Sequence, residues 1–295
     1  MPVPAPRQGA WFGSICGVRG GENILAGIRL VALDLDGTLL DSNSNLEPSA
    51  REVIRQVQAR GIGVTLATGR MFRSALPFAR ELNVHLPLIV YHGAMVKEPD
   101  TGAILWQRFL SRDIIKILVQ KARIYGMPFN IYLDDELYVE DIRPENKAYA
   151  NRARVPLHKV DDVLAVLKSD PIKFVAVYHG PELNLLEEEV RGELGQQVYV
   201  TRSFPYYLEI VHREASKARG LAVLAQILGI EPSEIMVIGD SFNDLEMFRF
   251  AGLAVAMGNA PPAVQAEAHY ITGTNDQGGV AEALIKFILE RDTHE

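Results

Sequence analysis

Residues 28–35 are almost continuously apolar, which predicts a strand covered on both faces and not one with a wet side. Pro48 and Ser49 then open an amphipathic helix running through Arg60, and Gly61 supplies the left-handed position that ends it. A strand over 63–67, the loop Thr68-Gly69-Arg70, a helix over 71–82 and a strand over 86–91 follow. Strands alternating with helices in this way predict a parallel sheet with helices on its faces.

Past Trp106 the texture changes. A helix over 112–125, a hairpin over 129–140, a helix over 160–168, a strand over 172–177, a helix over 182–194 and strands over 197–201 and 207–211 predict antiparallel pairing. The parallel pattern resumes with a helix over 217–228, a strand over 235–238, a helix starting near Asn243 and a strand over 253–256. The expected fold is α/β: a Rossmann-like doubly wound parallel sheet core (28–106 and 213–295) with an inserted α+β cap domain (107–212). Residues 1–27 are rich in Gly and Pro without a sustained period and are expected to be a disordered N-terminal extension.

Composition narrows the partners. The 295 residues suffice for about two domains, and 48% hydrophobic content is ample for buried cores. A formal charge of −7 speaks against nucleic acid or an anionic membrane, which need clustered Lys and Arg. An anionic substrate must therefore be drawn in by a local metal or a few placed cations. Cys16 is the only cysteine, so no intrachain disulfide is possible. No apolar run approaches the ~20 residues of a membrane span. The expectation is a soluble cytoplasmic protein, a monomer or weak homodimer.

The chemistry gathers at strand ends. Asp34 and Asp36 close the first apolar run; on an extended strand they would point to the same side, and Gly37 then permits a sharp turn. Like charges so close call for a hard cation between them, magnesium first. The strand over 235–238 ends in Gly-Asp240-Ser-Phe-Asn243-Asp244, at the edge where open α/β sheets collect ligands. Asn243 and Asp244 are also good helix caps, and Asp240 alone could be a turn residue. Thr68 and the Gly69 amide, between a strand and a helix, can hold an anionic oxygen, although a plain capping threonine has the same look. Lys217 sits at a helix start, where its charge opposes the macrodipole, so helix stability does not explain it.

In order, DLDGT, the threonine of LATGR, the lysine of SKARGL and GDSFND resemble the four motifs of the haloacid dehalogenase superfamily of phosphotransferases. The insertion between the second and third motifs, the segment Ala254-Val255-Ala256-Met257-Gly258-Asn259-Ala260, and Asn275-Asp276 with Gly278-Gly279-Val280-Ala281 resemble its Cof-like, sugar-phosphatase-type branch. The likeness covers about residues 28–289. Two positions depart: His92 stands before Gly-Ala where the branch usually has Asn, and Ala218 follows Lys217 where it usually has Gly.

The resemblance implies a phosphoric monoester hydrolase acting on small phosphorylated metabolites. Asp34 would be the nucleophile, forming an aspartyl-phosphate, and Asp36 the general acid and base. Magnesium would be held by Asp34, the backbone carbonyl of Asp36 and Asp240, with Asp244 completing the cluster directly or through water. Thr68, Gly69, Lys217 and Asn243 would bind the phosphoryl oxygens. The insertion would act as a lid, with Asn130, Tyr132, Tyr178, His179, Ser203 and Tyr206 as candidate contacts. A phosphotransferase or mutase of the same superfamily and a noncatalytic phospho-ligand sensor are the alternatives, the second disfavoured because binding needs no general acid. A dinucleotide-binding oxidoreductase fails at the first turn, where Asp36-Gly37-Thr38 replaces a glycine-rich loop.

Overall fold

A computed structural model describes residues 27–290; Cys16 and, Gly27 apart, the extension expected over 1–27 lie outside the described residues. β1 (Leu30–Leu33) is buried along its whole length. α1 (Pro48–Ala59) starts on Glu47, whose carboxylate accepts from the Ala50 amide, and buries Ala50, Val53, Ile54 and Val57 at three-to-four spacing. β2 (Gly63–Leu66) and α2 (Phe72–Glu81) follow.

The next strand does more than was expected of it. β3 (Leu88–Val90) runs parallel beside the end of β2, through the bridge between Ala67 and Ile89 and the Thr68 amide donating to the Ile89 carbonyl at 2.8 Å, and also pairs with β4 (Met95–Lys97), which pairs with β5 (Ile104–Gln107) in a small antiparallel sheet. Positive φ at Tyr91, His92 and Gly93 reverses the chain there. A Cβ on Gly93 would lie 1.9 Å from the Ser216 carbonyl oxygen, so only glycine fits that approach.

α3 (Arg112–Ile124), β6 (Phe129–Leu133), β7 (Glu136–Val139), α4 (Pro144–Ala153), β8 (Leu157–Lys159), α5 (Val163–Val166), β9 (Lys173–Val177), α6 (Glu182–Leu194), β10 (Val198–Thr201) and β11 (Tyr207–His212) build the cap. Its six strands run in the order β10-β11-β9-β6-β7-β8, antiparallel except for the β7–β8 pair. Leu118 of α3 and Leu186 of α6 join Phe174 and Ile210 in one apolar cluster. The helix expected over 160–168 is a single turn, and α4 and β8 were not expected. α4 buries only Asn146 and Ala150, so no apolar stripe announces it.

The chain returns through α7 (Lys217–Leu228), β12 (Ile235–Gly239), α8 (Leu245–Phe250), β13 (Leu253–Ala256), α9 (Pro262–Gln265), β14 (Tyr270–Ile271) and α10 (Gly279–Leu284). The core sheet is parallel throughout, in the order β14-β13-β12-β1-β2. Val31 and Leu33 face a cluster with Ile54, Phe78 and Leu284, while Leu30 and Ala32 face one with Leu221, Leu224 and Phe248. Helices thus cover both faces, as the continuous apolar strands require. The carboxyl ends of β1, β2 and β12 open on one edge beneath the cap. Among the described residues, no helix is long and apolar enough to cross a membrane.

Candidate active site

Asp34 follows β1 directly, and its amide still donates to the Ile238 carbonyl at 3.0 Å. The strand then breaks: the Leu39 and Leu40 amides both turn back onto the Leu35 carbonyl, at 3.0 and 2.9 Å. Gly37 makes the turn with φ +79°, and a Cβ there would lie 2.4 Å from Asp240 Oδ2. Strand alternation therefore does not extend to Asp36. The two carboxylates expected side by side diverge within one cavity of about 350 Å³.

Asp34 turns toward a buried lysine. Lys217 Nζ donates to Asp34 Oδ1 at 2.6 Å and to Asp244 Oδ1 at 2.7 Å, and all three side chains are nearly inaccessible. Lys217 is the first residue of α7, behind Ser216, whose hydroxyl caps the Arg219 amide. Despite burial, the two carboxylates hold the ammonium above its ordinary pKa. Asp34, Asp240 and Asp244 each offer an oxygen within 4.8 Å of the others. Burial, opposed by Lys217, pushes Asp34 well up; burial and the neighbouring Asp244 push Asp240 up to about 6. An all-oxygen acidic cluster that resists ionisation on its own suits a small hard cation.

Asp36 stands apart from that cluster. Its carboxylate accepts from Arg70 Nε and a terminal Arg70 nitrogen, each at 2.7 Å, and is not among the three that come close enough to share an ion. Burial opposes ionisation, yet the Arg70 hydrogen bonds and charge prevail and hold the carboxyl below its usual range. Thr68 Oγ1 accepts from the Arg70 amide at 3.1 Å, and its own hydrogen points elsewhere. Among the described residues, the Gly69 amide has no hydrogen-bond partner. Asp244 caps the turn after β12, accepting from the Asp240 and Ser241 amides at 3.1 and 3.0 Å, while Asn243 accepts from Ser241 Oγ at 2.9 Å. Capping and site placement coexist in both residues. Asp34, Asp36, Thr68, Gly69, Lys217, Asp240 and Asn243 all line the cavity.

The family model for haloacid dehalogenase-like hydrolase matches residues 31–284, nearly the whole described chain. The chain belongs to the haloacid dehalogenase-like hydrolases. It is a Cof-like phosphatase within them. It is 32% identical over 271 residues to YxeH of Bacillus subtilis (strain 168), named as a candidate phosphatase, covering 89% of this chain and 99% of that one. It is 28% identical over 262 residues to 5-amino-6-(5-phospho-D-ribitylamino)uracil phosphatase YcsE of the same organism, covering 89% and 96%. The crystal structure of a haloacid dehalogenase-like hydrolase from Bacteroides thetaiotaomicron superposes with a TM-score of 0.83 at 32% identity, covering 88% of this chain and 99% of that one.

In this hydrolase the cap side of the cavity differs from the sequence reading. Of the six candidate lid contacts only Ser203 lines it. α4 is the reason: Asn146 donates to Asn130 at 2.8 Å and Tyr149 packs edge-on against Tyr132, so those two point into cap packing. His179 stacks on Tyr206 with ring centroids 4.4 Å apart, and neither they nor Tyr178 line the cavity. The lining comes instead from Tyr149, Arg152, Lys173, Phe204, Tyr207 and Glu209.

Lys173, the first residue of β9, and Glu209, within β11, are a buried ion pair that reaches into the core. Lys173 Nζ donates to the Gly69 carbonyl at 2.9 Å, and Glu209 Oε2 bonds His92 Nε2 at 2.6 Å. Burial works against the Glu209 charge, yet Lys173 and His92 hold its carboxyl far below the usual range. Burial keeps His92 below the ordinary imidazole value. The departure at His92 thus has a structural use: its ring covers Gly69 and ties the chain reversal after β3 to the cap. The signal for this pair was in the sequence, as one Lys and one Glu each embedded in an apolar strand.

Proposed function

We propose that the protein is a magnesium-dependent phosphatase of small phosphorylated metabolites, sugar phosphates or chemically similar esters, working through an aspartyl-phosphate on Asp34. The observation that carries this reading is Asp34 held by Lys217 beside Asp240 and Asp244, at the wall of a cavity of about 350 Å³. The relative YcsE is named for a phosphorylated ribityl compound, a substrate of the same size class.

Asp34 attacks phosphorus, so that an Asp34 O–P bond forms as the ester P–O bond breaks. The departing oxygen takes a proton from Asp36. Asp36 then accepts a proton from the water that attacks the same phosphorus, releasing inorganic phosphate and restoring Asp34. The Arg70 contact favours the ionised form of Asp36 that the second half needs, and an incoming anionic ester competing for Arg70 favours the protonated form that the first half needs. Thr68, the Gly69 amide, Lys217 and Asn243 donate to the phosphoryl oxygens, where charge accumulates in transfer. Magnesium, held by Asp34, Asp240 and the Asp36 carbonyl with Asp244 directly or through water, would offset the repulsion between carboxylate and phosphate. The cap excludes bulk water and touches the leaving group.

Phosphate release from a panel of sugar and nucleotide monophosphates, with magnesium and with EDTA, tests the reading. Turnover should need magnesium and fall at least a thousandfold in Asp34→Asn, with an unchanged circular dichroism spectrum. Acid-quenched wild type should carry acid-stable, hydroxylamine-labile phosphate. Activity surviving in Asp34→Asn would remove the aspartyl-phosphate.

A further inference from the structure

We infer that Arg152 forms an anion subsite on the leaving-group side of the cavity, and that the preferred esters carry a second negative group, carboxylate or phosphate, that reaches it. The inference rests on the phosphatase reading and narrows its substrate class.

The argument begins with charge pairing. The other cations that line the cavity each have a carboxylate of their own. Arg70 makes two hydrogen bonds to Asp36, Lys173 pairs with Glu209, and Lys217 is shared by Asp34 and Asp244. Arg152 has no carboxylate to itself: its one ion pair among the described residues is with Asp36 Oδ1 at 3.7 Å, and Arg70 already engages both oxygens of Asp36. Of the remaining acids in the lining, Asp240 accepts from Thr38 Oγ1 and sits in the cluster with Asp34 and Asp244, and Asp41 spends Oδ1 on the Asn43 and Asn45 amides within its own turn.

Arg152 is also held in place before any ligand arrives. Its guanidinium carbon lies 3.8 Å above the Phe204 ring, a cation–π contact that fixes the plane without using its N–H donors. The side chain stays 34% exposed, so those donors face the solvent of the cavity. A planar fork with unused donors, stacked on an aromatic ring, is the arrangement that recognises carboxylate or phosphate through paired hydrogen bonds.

Position supplies the specificity. Asp36 is the group that meets the ester oxygen in the proposed reaction, and Arg152, on α4 of the cap, lies 3.7 Å from it. A group reaching Arg152 is therefore carried by the leaving portion and not by the transferred phosphoryl. A cavity of about 350 Å³ has room for such a bifunctional small molecule.

The test uses matched esters that differ in the second charge: 3-phosphoglycerate against glycerol 3-phosphate, and fructose 1,6-bisphosphate against fructose 6-phosphate. Wild type should favour the charged member of at least one pair in kcat/KM by about tenfold, the worth of a charge-assisted hydrogen bond at a half-buried site. Which pair shows it tells carboxylate from phosphate. Arg152→Met keeps the stem over Phe204 and should bring the ratio to about one, while Arg152→Lys should restore part of it. The ratio cancels any general effect of Arg152 on Asp36. A ratio near one in wild type for both pairs, or the same ratio in wild type and Arg152→Met, overturns the subsite while leaving the phosphatase reading in place. Release of phosphate from none of the four esters and none of the wider panel overturns both.

Discussion

Asp240→Asn should make the metal-free protein more stable and at the same time remove its response to magnesium. Burial and the proximity of Asp244 raise the Asp240 carboxyl from an ordinary 3.8 to about 6. A carboxyl whose folded-state pKa lies above its unfolded value binds protons more tightly in the native state, so stability falls as pH rises from 4 through 6 and stays low above. The difference corresponds to about 3 kcal/mol at pH 7. One side of the carboxylate faces water, so about 2 kcal/mol is expected after screening. Asparagine is neutral and similar in shape, and its Oδ1 can keep the 3.0 Å bond from Thr38 Oγ1. At roughly 2–4 °C per kcal/mol for a chain of this size, Tm in EDTA at pH 7 should rise by about 4–8 °C. Calorimetry at pH 4, 5.5 and 7, with EDTA and with magnesium, reads the effect. The gap should close toward pH 4, and magnesium should raise the Tm of wild type but not of the variant. Equal Tm values in EDTA at pH 7, a gap that persists at pH 4, or a full magnesium response in the variant would refute the electrostatic argument.

Other expectations follow from the remaining ion pairs. Arg70→Met removes both hydrogen bonds that hold Asp36 ionised, so the acid limb of kcat/KM for a neutral sugar phosphate should move to higher pH; an unmoved limb would separate Asp36 from proton transfer. In wild type the Asp36 contribution to stability is complete above pH 3.8 and is lost as pH falls through the lowered folded value, so the destabilisation of Arg70→Met should shrink in strong acid. Glu209→Ala strands a buried ammonium and should cost about 3–5 kcal/mol in urea unfolding, while adding Lys173→Met should recover a large part; strictly additive losses would show that the pair is not coupled.

The parallel core was legible because buried parallel strands are apolar throughout, and 30–33, 63–66, 235–239 and 253–256 have little other chemistry. Asp34 and Lys217 stood out for the opposite reason, charge where a strand end or helix start has no use for it, and Asp240 and Asp244 stood out by lying at the ligand-collecting edge of the sheet. β3 does run parallel beside the end of β2, but local pattern could not report that Tyr91, His92 and Gly93 adopt positive φ and fold the chain on into an antiparallel pairing with β4. α4 escaped because its buried face is an asparagine and an alanine. That omission spread, since Asn130 and Tyr132 of β6 were read as lid contacts, whereas Asn146 and Tyr149 of α4 pack against them. Arg70 was quoted only as a loop residue, although it takes both oxygens of Asp36.

The register of the core sheet also bears on the order in which the molecule is made. β1 pairs Leu30 with Gly63 on one side but with Ile235 on the other, so one edge of the strand that carries Asp34 has no partner until some two hundred more residues have been synthesised. The cap sheet has no such wait, since β6 to β11 close on one another within 129–212. A chain emerging from the ribosome would complete its lid before its floor, with the bare edge and apolar faces of β1 and β2 open to mispairing in the interval. Two of the three acids of the candidate metal site, Asp240 and Asp244, arrive just after β12, the strand that seals the sheet. Binding competence and closure of the fold are therefore one event in synthesis, and a chain cut short before residue 235 would have neither.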